Sequence, residues 1–297
     1  MGHKKQVIIL RHNGGRLGNQ LILYFSVYAY CLNRGFSLVN YSFYEYDRYF
    51  DLNNPKGLST FFYFVKNLNL YKAHAITYII YKIFAGIIPV IYKGDSLREI
   101  AGAEFLLPPT ENDDPKQTMI LSGIEESDLE RIYVDGWMFR NPVGIKQYHQ
   151  QIVNHFLPKK EIYREVKEFF KAISGNDRII GVHIRHGDYK VFRGGSLYFS
   201  EEEVFEILKS FIEKKHLNLK KTKFIVFSDA NIDLSIFKGL QVVAGPGKII
   251  HDLFALSFCD EIIGSESTFG QCAAYIGNKP LYFFDRKQKF KKQDYGF

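Results

Sequence analysis

From residue 178 to the C-terminus, short apolar runs and helical patterns take strict turns. Strands are expected at 178–184, 224–227, 241–244, 261–264 and 280–284, and helices at 201–215, 232–237, 248–258 and 269–276. Strands separated by helices cannot pair as hairpins, so the alternation requires a parallel sheet with helices on both faces. Ligands of such sheets bind beyond the carboxyl ends of the strands. Three polar clusters fall at those ends: His183-Ile184-Arg185, Ser228-Asp229 and Ser265-Glu266-Ser267-Thr268.

The first half begins on the same plan. An apolar run at 6–10 reads as a buried strand, followed by the turn Asn13-Gly14-Gly15-Arg16-Leu17-Gly18 and a helix over 19–34 that Gly35 ends. A strand at 36–39 completes an α/β unit. Another strand is expected at 132–135, with helices at 143–156 and 160–173. The four turn formers Ser174-Gly175-Asn176-Asp177 mark the expected boundary, giving domains 1–175 and 176–297, with the C-terminal tail free to pack back on the first. Between Ala75 and Tyr92 a run of apolar residues carries one charge, Lys82. Its length approaches that of a bilayer span, but the central lysine and Pro89 disfavour one. A buried helix is expected, with a membrane-surface helix as the alternative.

Composition narrows the function. The 297 residues carry a formal charge of +7, which favours anionic partners without choosing one. No zinc-finger spacing or RNA-recognition signature occurs, so nucleic acid is not an expected partner. The three cysteines form no C-x-x-C pair, and the first apolar run is too short for a signal peptide, so a reducing cytoplasm is expected. The turn at 13–20 lacks the G-x-G-x-x-G spacing of dinucleotide sites, and Gly245-Pro246-Gly247-Lys248 lacks the hydroxyl residue of a P-loop. There is no G-x-S-x-G elbow. There is also no D-x-D triplet of the kind that holds a divalent metal in many sugar transferases, and no metal site is expected.

Two clusters offer anion chemistry. His183 and Arg185 point to one face of an extended strand, and an arginine held there can grip a phosphate through two hydrogen bonds. The competing reading is an Arg185–Asp188 ion pair that orders a loop. Ser267 and Thr268 stand at a helix start, where hydroxyls and backbone N–H groups bind anions. The competing reading there is an ordinary helix cap.

Four segments in order resemble the GDP-fucose-dependent fucosyltransferases, and most of all the bacterial α-1,2-fucosyltransferase family. They are Gly14-Gly15-Arg16-Leu17-Gly18-Asn19-Gln20, then Gly181-Val182-His183-Ile184-Arg185-His186-Gly187-Asp188-Tyr189, then Phe227-Ser228-Asp229, and last Asp252 to Cys259 with Ser267-Thr268-Phe269. His186 stands where the family motif has a second arginine, and Gly270-Gln271-Cys272 replaces its usual tryptophans. The resemblance implies a GT-B fold of two Rossmann-like domains facing a cleft. It implies inverting, metal-independent transfer of L-fucose from GDP-fucose to a saccharide hydroxyl, with no cofactor beyond that donor substrate. Arg185 would hold the β-phosphate and His183 would shape its pocket. Asp252 would read guanine, and Ser267, Thr268 and Phe269 would close over the phosphates, with Ser228 and Asp229 alongside. Gly15, Arg16, Gly18, Asn19 and Asp135 would line the acceptor side, Asp188 or Asp135 would serve as base, and Asn19 would count with Arg185 and Asp188 among the catalytic residues. A same-fold transferase using another nucleotide sugar, and a non-catalytic saccharide- or nucleotide-binding module, are the alternatives. A peripheral contact with the inner face of a membrane, through 75–92, completes the expectations.

Overall fold

A computed structural model describes residues 5–11, 15–52, 79–80, 82–84, 86–87, 95–98, 131–135, 139–173, 175 and 178–293. The chain forms two compact α/β units that divide between Leu157 and Pro158. Asn13, Gly14, the loop at 108–115 and residues 294–297 lie outside the described residues, and with them the expected return of the tail.

In the first unit, β1 (Gln6–Arg11), β2 (Ser37–Asn40), β3 (Asp95–Arg98) and β4 (Arg131–Asp135) pair in parallel in the order β2-β1-β4-β3. Val7, Ile8 and Ile9 are all buried, as a strand covered on both faces requires. Helix α1 (Leu17–Arg34) connects β1 to β2. Gly15 precedes it with φ +79°, and a Cβ there would lie 2.2 Å from the Asn19 amide nitrogen, so the turn admits only glycine. Gly35 ends α1 in the left-handed region, as expected.

The expected helix at 143–156 is two helices, α2 (Pro142–Gln147) and α3 (His149–His155). Tyr148 leaves helical geometry between them, and its hydroxyl meets Asn33 Oδ1 at 3.1 Å. The Phe156 ring then packs edge-on against Tyr24 and Phe25, at 4.6 and 4.8 Å between centroids.

Only part of the apolar segment lies among the described residues. Those at 79–80, 82–84 and 86–87 are helical. Ile80 and Phe84 pack against buried Ile8 and Tyr133, whereas Ile79, Ile83 and Ile87 are exposed. The helix is therefore one-sided rather than wholly buried. Among the described residues no helix is long and apolar enough to cross a membrane.

The second unit opens with α4 (Lys160–Ile173), whose Tyr163 and Phe170 rings pack on Phe258. That packing carries the helix into this unit, so the division falls before it and not at 174–177. There follow β5 (Arg178–Ile184), α5 (Glu201–Lys214), β6 (Thr222–Ser228), β7 (Gln241–Ala244), α6 (Ile249–Phe258), β8 (Glu261–Gly264), α7 (Thr268–Gly277), β9 (Leu281–Asp285) and β10 (Lys289–Gln293). The sheet order is β10-β9-β8-β5-β6-β7, parallel except for β10.

One expectation fails here. Residues 232–237 make only a 3-10 turn, Leu234–Ile236, because the Asp233 carboxylate accepts from Ser235 N at 2.9 Å and holds a tight turn. The basic stretch near the C-terminus is an edge strand, and its exposed lysines discourage further pairing.

One face of this sheet buries Ile180, Val182, Ile184, Phe224 and Phe211 of α5. On the other face α6 and α7 pack together, and Gly277 makes their closest approach. A Cβ at Gly277 would lie 2.0 Å from the Ser257 carbonyl oxygen, which is backbone and cannot rotate away. Gly277→Ala should therefore force the helices apart and cost roughly 1–3 kcal/mol, as overpacking does. Urea unfolding of the two proteins measures it, and an unchanged midpoint would refute the contact.

Candidate functional site

Strand order sets the location of the site. From β5 the chain moves to β6 and β7 on one side, then returns to β8 and β9 on the other. The sheet thus reverses direction between β5 and β8, and at such a switch point the loops leaving neighbouring strands diverge and open a crevice. The loops leaving β5 and β8 carry the two densest polar clusters of the sequence.

Those loops are tied together. Arg185 N donates to Ser265 Oγ at 2.9 Å, and the Tyr189 hydroxyl donates to the Glu266 carbonyl at 2.6 Å. Burial raises the pKa of that hydroxyl, so it stays a donor. The His183 ring stacks on Phe269 at 5.2 Å and 29°. Gly264 permits the close pairing beneath, because a Cβ there would lie 2.4 Å from the His183 carbonyl oxygen.

A third loop, after β6, fixes the turn that carries Arg185. Asp229 Oδ1 accepts from His186 N at 2.9 Å and Gly187 N at 3.2 Å. A side chain at 187 would collide with this carboxylate, its Cβ lying 2.5 Å from Oδ2. The Arg185 guanidinium donates to Asp188 Oδ1 through Nε at 3.1 Å and Nη2 at 2.7 Å, and Nη1 lies 3.9 Å from Asp229 Oδ2. It also lies 5.2 Å from the Tyr189 ring centre. The ion pair considered from sequence is therefore formed, and it aligns the guanidinium at the strand end.

His183 is buried, and its Nδ1 has no hydrogen-bond partner among the described residues. This nitrogen faces the start of α7, since a Cβ at Gly270 would lie 3.6 Å from it. Burial, and secondly the charge of Arg185, lower its pKa to about 4, so the imidazole is neutral at physiological pH. Ser267 caps α7, its hydroxyl accepting from Phe269 N at 3.2 Å, with Thr268 opening the helix. The capping reading is thus also realised, at a helix start that faces the switch point.

Asp252 lies in the first turn of α6, beyond β7, and is buried. Its Oδ1 accepts from Gly247 N at 2.8 Å, and burial raises its pKa to about 6. Ser228 Oγ accepts from Ala230 N and shapes its own turn. The second unit thus collects His183, Arg185, Asp188, Ser228, Asp229, Ser267, Thr268 and Phe269 at the ends of β5, β6 and β8, with Asp252 at the end of β7. His186 turns out of this group. Its Nε2 donates to the Phe199 carbonyl at 2.8 Å, and its ring lies against Tyr198. The Asp229 clamp and the Tyr189 clasp were missed from sequence, where only the aspartate after β6 and the tyrosine of the motif hinted at them.

The first unit repeats the logic. Its sheet reverses between β1 and β4. Gly15, Arg16, Gly18 and Asn19 lie in the turn after β1 and the first turn of α1, and Asp135 ends β4 as the register partner of Arg11.

The switch point of this sheet thus carries Arg185 after β5 and the start of α7 after β8. Residues 130–292 match the model of glycosyl transferase family 11, and the chain belongs to that family, which makes it a glycosyltransferase. No curated protein matches it. Among solved structures it is similar over 98% of its length to NodZ from Bradyrhizobium, covering 99% of that chain at 16% identity and a TM-score of 0.56. NodZ is an α-1,6-fucosyltransferase also observed with GDP-fucose. A mutant of FUT1 from Arabidopsis thaliana in complex with GDP matches 98% of this chain and 74% of its own, at 14% identity and TM-score 0.58. POFUT1 in complex with GDP matches 95% of this chain and 98% of its own, at 13% identity and TM-score 0.57. These likenesses establish the fold, the two-unit α/β GT-B architecture expected from sequence.

The buried histidine has a measurable consequence. Its folded pKa lies below the unfolded value of 6.5, so between pH 6.5 and about 4 the unfolded chain binds the extra proton. Stability from this group is full above that window and is lost as pH falls through it, on the order of 3 kcal/mol. Asp252 acts oppositely, because its raised pKa favours the protonated native state between 3.8 and about 6. The test is therefore a difference. The stability of the wild type relative to His183→Gln should grow from pH 4.5 to 7 in urea titrations, and parallel profiles would refute the assignment.

Proposed function

We propose that the protein transfers L-fucose from GDP-fucose to a hydroxyl of a saccharide acceptor, with inversion and without a metal ion. The observation that carries the reading is Arg185, held by Asp188 and Asp229 at the switch point. As the sugar–phosphate bond breaks, negative charge grows on the diphosphate. A fixed guanidinium stabilises that charge, and one such donor is typically worth ~3 kcal/mol. The acceptor hydroxyl attacks the anomeric carbon from the face opposite GDP.

The second unit binds the donor, with Asp252 accepting from the N1–H and 2-amino group of guanine. His183 and Phe269 form one wall, and Ser228, Asp229, Ser267 and Thr268 surround the phosphates. Asp188 shares the guanidinium of Arg185, so a phosphate that takes over that contact releases a carboxylate beside the sugar. This makes Asp188 a base candidate, with Asp135 as the other. The first unit receives the acceptor along Gly15, Arg16, Gly18 and Asn19. The proposed linkage is α-1,2, supported by the resemblance of the glycine-rich turn. The location is the cytoplasm, and the exposed row Ile79, Ile83 and Ile87 supports a peripheral contact with the inner face of a membrane.

Arg185→Lys tests the reading. Lysine keeps the charge but loses the planar fork that bridges two oxygens. The contact strengthens in the transition state, so kcat should fall at least about a hundredfold, roughly 2.7 kcal/mol, while GDP-fucose affinity falls much less. Single-turnover assays with GDP-fucose in excess EDTA, beside a melting curve, decide it. Lost stability with normal turnover per folded molecule would reduce Arg185 to a structural ion pair. Loss of all wild-type turnover in EDTA, restored by manganese, would overturn the metal-free mechanism.

A further inference from the structure

The segment between β7 and the first turn of α6 is fastened at three points. Gly245 N donates to the Val226 carbonyl at 2.8 Å, which ties the segment to β6. The approach is close, because a Cβ at Gly245 would lie 2.5 Å from the Phe227 ring. Gly247 N donates to Asp252 Oδ1 at 2.8 Å and folds the loop onto α6. The third tie comes from α4. Glu165 Oε2 accepts from His251 Nε2 at 2.8 Å and from Lys248 Nζ at 3.2 Å.

Lys248 and His251 stand three residues apart at the start of α6, a spacing that brings both side chains to one carboxylate. Lys248 occupies the N-cap position without capping the helix through its side chain, which reaches Glu165 instead. Hydrogen bonds from Lys248, and then from His251, hold the Glu165 carboxyl below the ordinary carboxylate range, so it is an ionised acceptor at neutral pH. Exposed ion pairs contribute little on their own. Here, however, His251 is buried, and removing Glu165 takes the acceptor away from a buried N–H. The far end of α6 is seated on the same helix, where Phe258 packs against Tyr163 and Phe170 of α4. With that end fixed, the Glu165 contacts set the rotation of the first turn of α6. Asp252 follows His251 in that turn, so its carboxylate moves with it.

We infer that Glu165 is a positioning residue for the nucleotide: by holding His251 and Lys248 from α4, it fixes the first turn of α6 and aims the Asp252 carboxylate at the guanine edge. The inference rests on the proposed reading of guanine by Asp252. It adds a residue on a different helix, outside the four segments of the family resemblance, on which nucleotide selectivity depends.

Calorimetric titration of the full-length protein with GDP, UDP and inosine diphosphate tests it. Inosine diphosphate lacks the 2-amino group of guanine and so forfeits one of the two hydrogen bonds proposed for Asp252. The wild type should bind GDP about fivefold more tightly than inosine diphosphate, as one hydrogen bond warrants. In Glu165→Ala the GDP dissociation constant should rise about fivefold and the preference over inosine diphosphate should fall below about twofold, because a misaimed carboxylate loses the bond that distinguishes them. Glu165→Gln, whose amide oxygen still accepts from His251, should recover most of the preference. Melting curves report that both variants are folded. An unchanged preference in Glu165→Ala, a loss shared equally by GDP and inosine diphosphate, or no recovery in Glu165→Gln overturns the inference and leaves the proposed function standing. Wild-type binding of UDP or inosine diphosphate as tight as that of GDP overturns the guanine reading, and the inference with it.

Discussion

The carboxylate of Asp229 accepts hydrogen bonds from His186 N and Gly187 N and so fixes the turn on which Arg185 stands. Hydrogen bonds to a charged acceptor are worth about 1.5–3 kcal/mol each. They bring the loop after β6 to the loop after β5, and Ser265 and Tyr189 bring the latter to the loop after β8. Three strand ends are thereby locked around one guanidinium. In the role proposed for Arg185 such prior ordering matters, because no reorganisation is then needed as charge develops. Glycine at 187 is part of the same device, since any side chain would displace the aspartate.

The sheet explains why the device sits where it does. In both units the chain departs from a central strand to one side and later returns to the other, and in both the polar residues singled out from sequence lie at that reversal. The departure of His186 from the family motif follows from the same geometry. Its side chain leaves the strand end away from Arg185 and secures the Phe199 carbonyl, ahead of the capping box that opens α5. A histidine there serves the loop between β5 and α5, while charge at the switch point is left to Arg185.

Much of this was legible in the sequence because parallel strands are written as short apolar runs. The bounds 178–184, 241–244 and 261–264 coincide with β5, β7 and β8. What misled were signals that tertiary context overrides. Residues 232–237 carry helical periodicity, but an aspartate cap tightens them into a single turn. Strand β10 was not expected at all, because its alternating lysines form no apolar run and only pairing with β9 makes it a strand. The candidate site was legible as a set of residue types at strand ends, whereas the hydrogen bonds of Asp229 and Tyr189 were not. They join residues 42 and 77 positions apart, and spacing along the chain carries no trace of them. The buried Nδ1 of His183, without a hydrogen-bond partner among the described residues, was equally invisible, since it depends on how α7 packs over the strand.

The central claim is that the loops after β5, β7 and β8 together hold a guanosine diphosphate. Amide hydrogen exchange with and without GDP measures it directly. The account predicts slowed exchange at 185–190, 245–252 and 265–270 on addition of GDP, with no comparable effect of UDP or CDP. Protection confined to other segments, or equal protection by all three nucleotides, would contradict it.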